Sequence, residues 1–513
     1  MRNFLAVLCA VVQFGWLLCA PAAAMDDVSG PSQTDMGRER AALLAVIAQS
    51  RQPKPDVAAM SAALKTILAD PAFLMLSDDE RHVGYVLYGA LLLDARDWDG
   101  AMTALRAATQ MAQAGAFDWN LRLQAGFRLS DYADATISAT RLAQHWPDKL
   151  SGYRDGAIFL LGRESQKIAG FGDSAREFLE ALHAIKWKPI DGFGHADGLW
   201  LALMRIRLER GDVDGAKALA ADLHDPVTFL EMRADRRFDA IVQADPARYD
   251  VMKGFEAELA ERRTEAAAAP DKLEGINAVA NLLRRLGRAG EALDAIDAAL
   301  KRAETRPQPF ADHDDQINWT QDQRSQLLFL LGRDDEAVAA LAKGAALKED
   351  GNAVNVSQAI NLADVYDSHD RPKDALAAVA TLDFSNASNY GRMALEDARA
   401  CAYFELGDAK NLAEVLQYMK AHAGDGSQPY LNTMLCTGDL DGAAAEVLAE
   451  LGDPVRRLDA LYFLQDYLPQ SHATKREEAI HAAWIAMRSR PDVAAAIDKV
   501  GRINSYAILS PSY

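Results

Sequence analysis

The chain has 513 residues, 50% of them hydrophobic and 25% charged, and carries a formal net charge of −19. That length is too great for a single compact core, so two or more domains or an extended array are expected. So acidic a surface repels phosphate backbones and anionic headgroups, which excludes nucleic acid and anionic lipid as expected partners.

In chain order, the N-terminus comes first. Arg2 supplies a positive start, Phe4 to Ala20 is apolar apart from Gln13, and Pro21-Ala22-Ala23-Ala24 offers an Ala-x-Ala cleavage site before Met25. Residues 1–24 therefore read as a secretory signal peptide, with a retained membrane anchor as the alternative. The residues before Cys9 and Cys19 are both Leu, which argues against a lipid-attachment cysteine. Later in the chain no apolar run approaches the ~18 residues of a spanning helix. The mature chain is thus expected to be exported by a bacterium, periplasmic or outer-membrane associated, with no transmembrane span. Losing Arg2 makes it one charge more acidic.

Abundant Ala with sparse Val, Ile and Thr favours helix over sheet. Residues 25–38, rich in Asp, Ser, Gly and Pro, read as a disordered lead-in within a first segment, 25–75. An N-terminal helical array is expected over 76–265. Pro226, Pro246 and Pro270 interrupt the rhythm, and Ala266-Ala267-Ala268-Ala269-Pro270 reads as a helix end, so a boundary is placed near 265. A more regular array follows over 266–465, then a capping helix from Lys475 to Ser489 and an apolar tail within 466–513.

The arrays carry an internal repeat. Leu286-Gly287-Arg288-Ala289-Gly290-Glu291-Ala292 returns as Leu331-Gly332-Arg333-Asp334-Asp335-Glu336-Ala337, with looser copies at Glu209 to Ala216 and Thr437 to Ala443. Each sits between two amphipathic stretches. Ile276, Val279, Ala280, Leu283 and Leu286 form one apolar face; Ala292, Leu293, Ile296, Ala299 and Leu300 form another. The Ala that opens the second helix recurs at 101, 135, 216, 292, 337, 375 and 443, with Leu412 in its place once. Spacings of 34, 45, 38, 37 and 31 with helix–turn–helix content resemble the tetratricopeptide repeat. The resemblance is degenerate, since the spacing drifts and most of that repeat's aromatic positions are missing. It implies an all-α solenoid, a right-handed superhelix of antiparallel helix pairs with a concave groove, and it implies no catalytic activity.

Several constellations could carry chemistry. Asp-x-Asp-Gly-Ala occurs at Asp97–Ala101, Asp212–Ala216 and Asp439–Ala443. A calcium loop would need Gly where Ala444 stands, and the recurrence at one place in the repeat favours a helix cap. Residues 183–200 gather His183, Trp187, Lys188, Asp191, Phe193, His195, Asp197 and Trp200, a composition that could stack on a sugar ring and move a proton. An ordinary insertion with Trp side chains plugging the core is the plainer reading. Asp312-His313-Asp314-Asp315 could offer oxygen ligands, but consecutive side chains do not converge on one ion, so no metal is assigned. Cys401 and Cys436 sit on first helices of consecutive pairs. Their different distances to Gly407 and Gly438 place them on nearly the same helical face, one turn apart. The same face on parallel helices does not obviously meet, so separate buried thiols are expected and a disulfide is the alternative. His-Glu-x-x-His, Gly-x-Ser-x-Gly, Cys-x-x-Cys and a phosphate-binding Gly-rich loop ending in Lys do not occur.

The reading that follows is a non-catalytic scaffold, without cofactor, whose groove binds a protein or peptide in envelope assembly or secretion. If the tetratricopeptide geometry holds, Asn277, Asn281, Arg284, Asn361 and Asp364 are exposed beside that groove. The alternative is a toroid-like all-α enzyme acting on envelope polysaccharide, with His183, Trp187, Asp191, His195 and Trp200 in its cleft.

Overall fold

The computed structural model describes residues 32–190, 194–305, 307–349, 353–382 and 388–510. The expected signal peptide, Asp191 and Phe193 lie outside the described residues. Contacts divide the chain into two units, 1–191 and 192–513. Among the described residues there are 26 α-helices and four short strands. Among the described residues no helix is long and apolar enough to cross a membrane.

Unit 1 begins earlier than its composition suggests. Residues 33–38, expected to be disordered, form the first turns of helix Gln33–Ser50. Ser32 accepts from the Asp35 N–H while Asp35 returns a bond to Ser32, a capping box that satisfies two otherwise orphaned donors. Pairs follow at Asp78–Asp94 with Trp98–Thr109, Ala116–Leu129 with Tyr132–His145, and Asp155–Lys167 with Gly172–Ala184. The apolar stripes of the helices from Gln33 to Leu129 merge into one core around Leu43, Leu64, Phe73, Leu87 and Leu105.

Unit 2 stacks its pairs in the same way. The stripes read from the sequence meet as expected: Val279, Ala280 and Leu283 of helix Leu273–Arg285 pack on Ala292, Leu293 and Ile296 of helix Ala289–Ala303, with Leu327 and Leu328 of the next pair. Between the two helices of a pair, the chain turns on a residue in the left-handed conformation. Gly287 and Gly332 hold it at φ +71° and +68°, which explains the glycine in both strongest copies of the repeat; Ser130 and Asp370 adopt it at equivalent turns. A Cβ on Gly332 would also come 3.0 Å from His472 Nδ1. Gly332→Ala is therefore expected to destabilise unit 2 by about 1–2 kcal/mol, and Gly287→Ala, with no such neighbour, by less. Urea midpoints of the two variants check the order.

The helix Val251–Ala268 runs through residue 265 and ends ahead of Pro270. At the other end, the expected capping helix is Lys475–Arg488, which buries Trp484 and Met487. The tail docks back on its own chain. Strand Ser505–Leu509 pairs in parallel with Asp466–Leu468, and Ile508 is fully buried. Gly501 bridges to Asp235, Arg502 donates to Asp239 and to the Arg233 carbonyl, and helix Arg457–Phe463 packs on Pro226–Ala234. First and last parts of unit 2 are thereby joined.

Candidate binding site on the first helices of unit 2

The first helices of successive pairs lie side by side and are tied together by an Asn–Asp ladder. Asn361 Nδ2 donates to Asp322 Oδ1 at 3.0 Å, and Asn432 Nδ2 donates to Asp397 Oδ2 at 2.8 Å. Thr433 adds a 2.6 Å bond to Asp397 Oδ1. The residues belong to helices His313–Leu330, Val356–Ser368, Asn389–Leu406 and Ser427–Cys436 in turn. A neutral amide opposite a carboxylate satisfies a buried acceptor without bringing in a second charge.

The same register corrects the expectation of separate thiols. Asn432 faces Asp397 from 35 residues away, and Cys436 is bonded to Cys401 at the same separation, with Cα atoms 5.8 Å apart. Facing positions are set by the polar contact between neighbouring helices, not by the distance of each cysteine from its turn glycine. Replacing both cysteines by Ser is expected to lower stability by about 2–4 kcal/mol, because the bridge restricts the unfolded chain. Thermal unfolding with and without reductant tests it: the reductant should move the native protein and leave the double variant unchanged.

Beside the ladder lie four groups on one face. Asp364 is water-exposed, and among the described residues it has neither an ion pair nor a hydrogen bond. The charges of Asp367, one turn on, and of Asp397, on the neighbouring helix, act on it. Burial pushes Asp397 up to about 7 and Asp367 to about 6. Asp367 is 5% exposed; Arg476 reaches its Oδ2 at 2.7 Å, and Oδ1 has no hydrogen-bond partner. Tyr390, two turns before Asp397 on its helix, is 56% exposed, and its enclosed hydroxyl end feels both Asp397 and Asp364.

Of the groove residues expected to be exposed, Asn281 and Asp364 are, Asn361 is half-buried, and Asn277 and Arg284 are buried at 9% and 7%. Asn277 donates to Gln316 at 3.3 Å, while burial lowers Arg284 to about 10 beside Arg285 and Asp322. Both face the neighbouring helix His313–Leu330, and the returning C-terminal chain also reaches helix Leu273–Arg285: strand Ser505–Leu509 packs on it, and Tyr462 accepts a 2.8 Å bond from Arg285. No local sequence signal places that strand there. The sequence reading also missed the acids at 322, 367 and 397 and Tyr390, although the spacing of Asp322 to Asn361 and of Asp397 to Asn432, 39 and 35 residues, is visible once the ladder is known.

The other constellations resolve structurally. Asp97, Asp212 and Asp439 accept from the N–H of Gly100, Gly215 and Gly442 at 3.0, 2.9 and 2.8 Å, which is the cap reading. Asp312 spends both oxygens on the N–H groups of Leu273 and Glu274. His183 and Trp187 belong to unit 1, where Trp187 packs edge-on against Phe159 at 5.7 Å and lines a cleft of about 410 Å³ with Tyr153 and Ile190. His195 and Trp200 belong to unit 2. Trp200 is buried, and His195 Nε2 accepts from Arg262 at 2.7 Å, with burial and that cation lowering its pKa. Near it, burial raises Asp225 to about 6 and Glu258 to about 7, and pushes Glu231 well above its ordinary value.

No protein-family model matches the chain, and no curated protein matches it in sequence. Similar solved structures include NprR in complex with its cognate peptide NprX, 12% identical over 83% of this chain and 96% of that one, with a TM-score of 0.34. The Cut9–Hcn1 hetero-tetramer of APC/C is 15% identical over 90% of each chain, TM-score 0.28. The P58(IPK) TPR domain is 12% identical over 80% of this chain and 99% of that one, TM-score 0.18. The fold is an all-α solenoid of tetratricopeptide-like helix pairs.

Proposed function

We propose that this chain is a non-catalytic scaffold, exported to the bacterial periplasm, which holds a peptide or protein segment on the first-helix face between residues 356 and 436. The observation that carries the reading is the contrast within that face. Its Asn and Asp side chains at 361, 397 and 432 are spent on one another and on Asp322 of the preceding first helix, while Asp364 and the ring of Tyr390 are left to solvent. Exposed aromatic surface beside polar groups is a feature of binding sites. The export part rests on Arg2, the apolar run and Ala22-Ala23-Ala24. A photoreactive residue at Tyr390, compared in cells with one at exposed Glu414 on the second helix, tests the site. A discrete adduct from position 390 alone supports the reading. Equal labelling from both positions, or none from 390, overturns it.

An enzyme of envelope polysaccharide is the second reading. It is favoured by the raised carboxyls of Asp225, Glu231 and Glu258, since elevated acids serve general acid catalysis. Release of soluble fragments from purified envelope polysaccharide, abolished by Glu258→Gln, would replace the scaffold with this reading.

A further inference from the structure

The exposed face between residues 356 and 436 is selective in its chemistry. Asp364, Asp367 and Asp397 bring three carboxyls together, and Asn432 and Thr433 neutralise none of the charge they hydrogen-bond. The cation seated among them is Arg476, which is shared between Asp367 and Glu405 and leaves Asp367 Oδ1 buried without a partner. Among the described residues, the three ligand atoms that come within 4.8 Å of one another are those of Asp397, Cys401 and Cys436, and both cysteines are in the disulfide. The three carboxyls are therefore too spread to chelate one metal ion; Asp364 is the one that solvent reaches, with Asp367 and Asp397 buried behind it. Tyr390 supplies an exposed ring at the same place, the surface on which an ammonium or guanidinium rests.

We propose that the first-helix face at Asp364, Asp367, Tyr390 and Asp397 binds a basic peptide segment of a partner protein, taking a Lys or Arg side chain between Asp364 and the Tyr390 ring. This rests on the scaffold reading and names its ligand class. Asp364 receives the cation, Tyr390 stacks on it, and above about pH 7 the unpartnered Asp367 oxygen and Asp397 hold the negative potential behind them. The chain's net charge of −19 draws such a segment in, and salt weakens the encounter.

The test is fluorescence anisotropy with the full mature chain and four labelled dodecapeptides, rich in Lys/Ala, Arg/Ala, Glu/Ala and Ser/Ala. Binding of the two basic peptides is expected, weakened about tenfold by Asp364→Asn and by Tyr390→Ala, and unmoved by Glu414→Gln. Glu414→Gln removes the same charge from the second helix, so it separates this site from general attraction to an acidic protein. Equal weakening by Asp364→Asn and Glu414→Gln overturns the site. Binding of all four peptides, lost in Tyr390→Ala but not in Asp364→Asn, overturns the basic ligand and leaves the scaffold standing. If no peptide binds while the Tyr390 photoadduct still forms in cells, the ligand class is overturned alone; if neither occurs, both readings fall.

Discussion

Unit 2 should become more stable as pH falls from about 7.5 to about 5.5. Burial raises Asp397, Glu258 and Glu450 to about 7 and Asp225 and Asp367 to about 6. Unfolded, these carboxyls titrate near 4. Between about pH 4 and 7 the folded state therefore holds protons that the unfolded state has released. Stability then declines with rising pH across that window and recovers as pH falls. Asp397 alone contributes at most on the order of 4 kcal/mol. His195 works in the opposite sense: its lowered pKa favours the neutral ring when folded, so acid below about 6.5 withdraws that contribution. One depressed imidazole is outweighed by five raised carboxyls. Urea midpoints measured from pH 5.5 to 7.5 should rise toward acid, and Asp397→Asn should flatten the slope. A midpoint that falls steadily toward pH 5.5 would show that these groups are charged and paired in the folded state.

Asp134→Ala should cost unit 1 about 3–5 kcal/mol. Asp134 is 4% exposed and receives Arg122 Nε and Nη2 at 2.6 and 2.8 Å, and Arg106 Nε at 2.6 Å. Burial works against its charge, but the two guanidinium groups win and hold its pKa below the ordinary value. Arg122 is itself 9% exposed; it donates to Thr109 at 2.7 Å and lies 5.1 Å over the Trp119 ring. Without Asp134 this cation keeps only a hydroxyl and a ring, so most of the cost is a stranded buried charge. The double change Arg122→Met with Asp134→Leu removes both charges and should recover much of the loss. Thermal unfolding, with proteolysis to assign the change to unit 1, decides it. A single-variant loss below about 1 kcal/mol would mean that the pair is solvated.

Asp134 shows how far the repeat could be read. It stands where Gly100, Gly215 and Gly442 stand in three other copies and where Glu291, Glu336 and Asp374 stand in three more, so the repeat alone does not single it out. Its partners, Arg106 and Arg122, come from two other helices, and no local spacing points to them. The helix pairs, by contrast, were legible. Ala292, Leu293 and Ile296 lie at helical spacing, Gly287 and Gly332 mark left-handed turns, and Asp439 caps its own helix. These are interactions within one or two turns of chain, and they act wherever the helix ends up.

The candidate site was legible only in fragments. Asp364 and Asn361 were picked from their helix, but their meaning depends on Asp322, Asp367, Tyr390 and Asp397. The same holds for the disulfide and for the buried state of Asn277 and Arg284, which face Gln316 and Asp322 of the neighbouring helix. Helix, turn and cap follow from neighbours along the chain, because their hydrogen bonds and apolar periodicity span a few residues. The Asn–Asp register, the cluster of raised carboxyls and the covered groove join residues 35 to more than 200 positions apart, and packing between helices set those contacts.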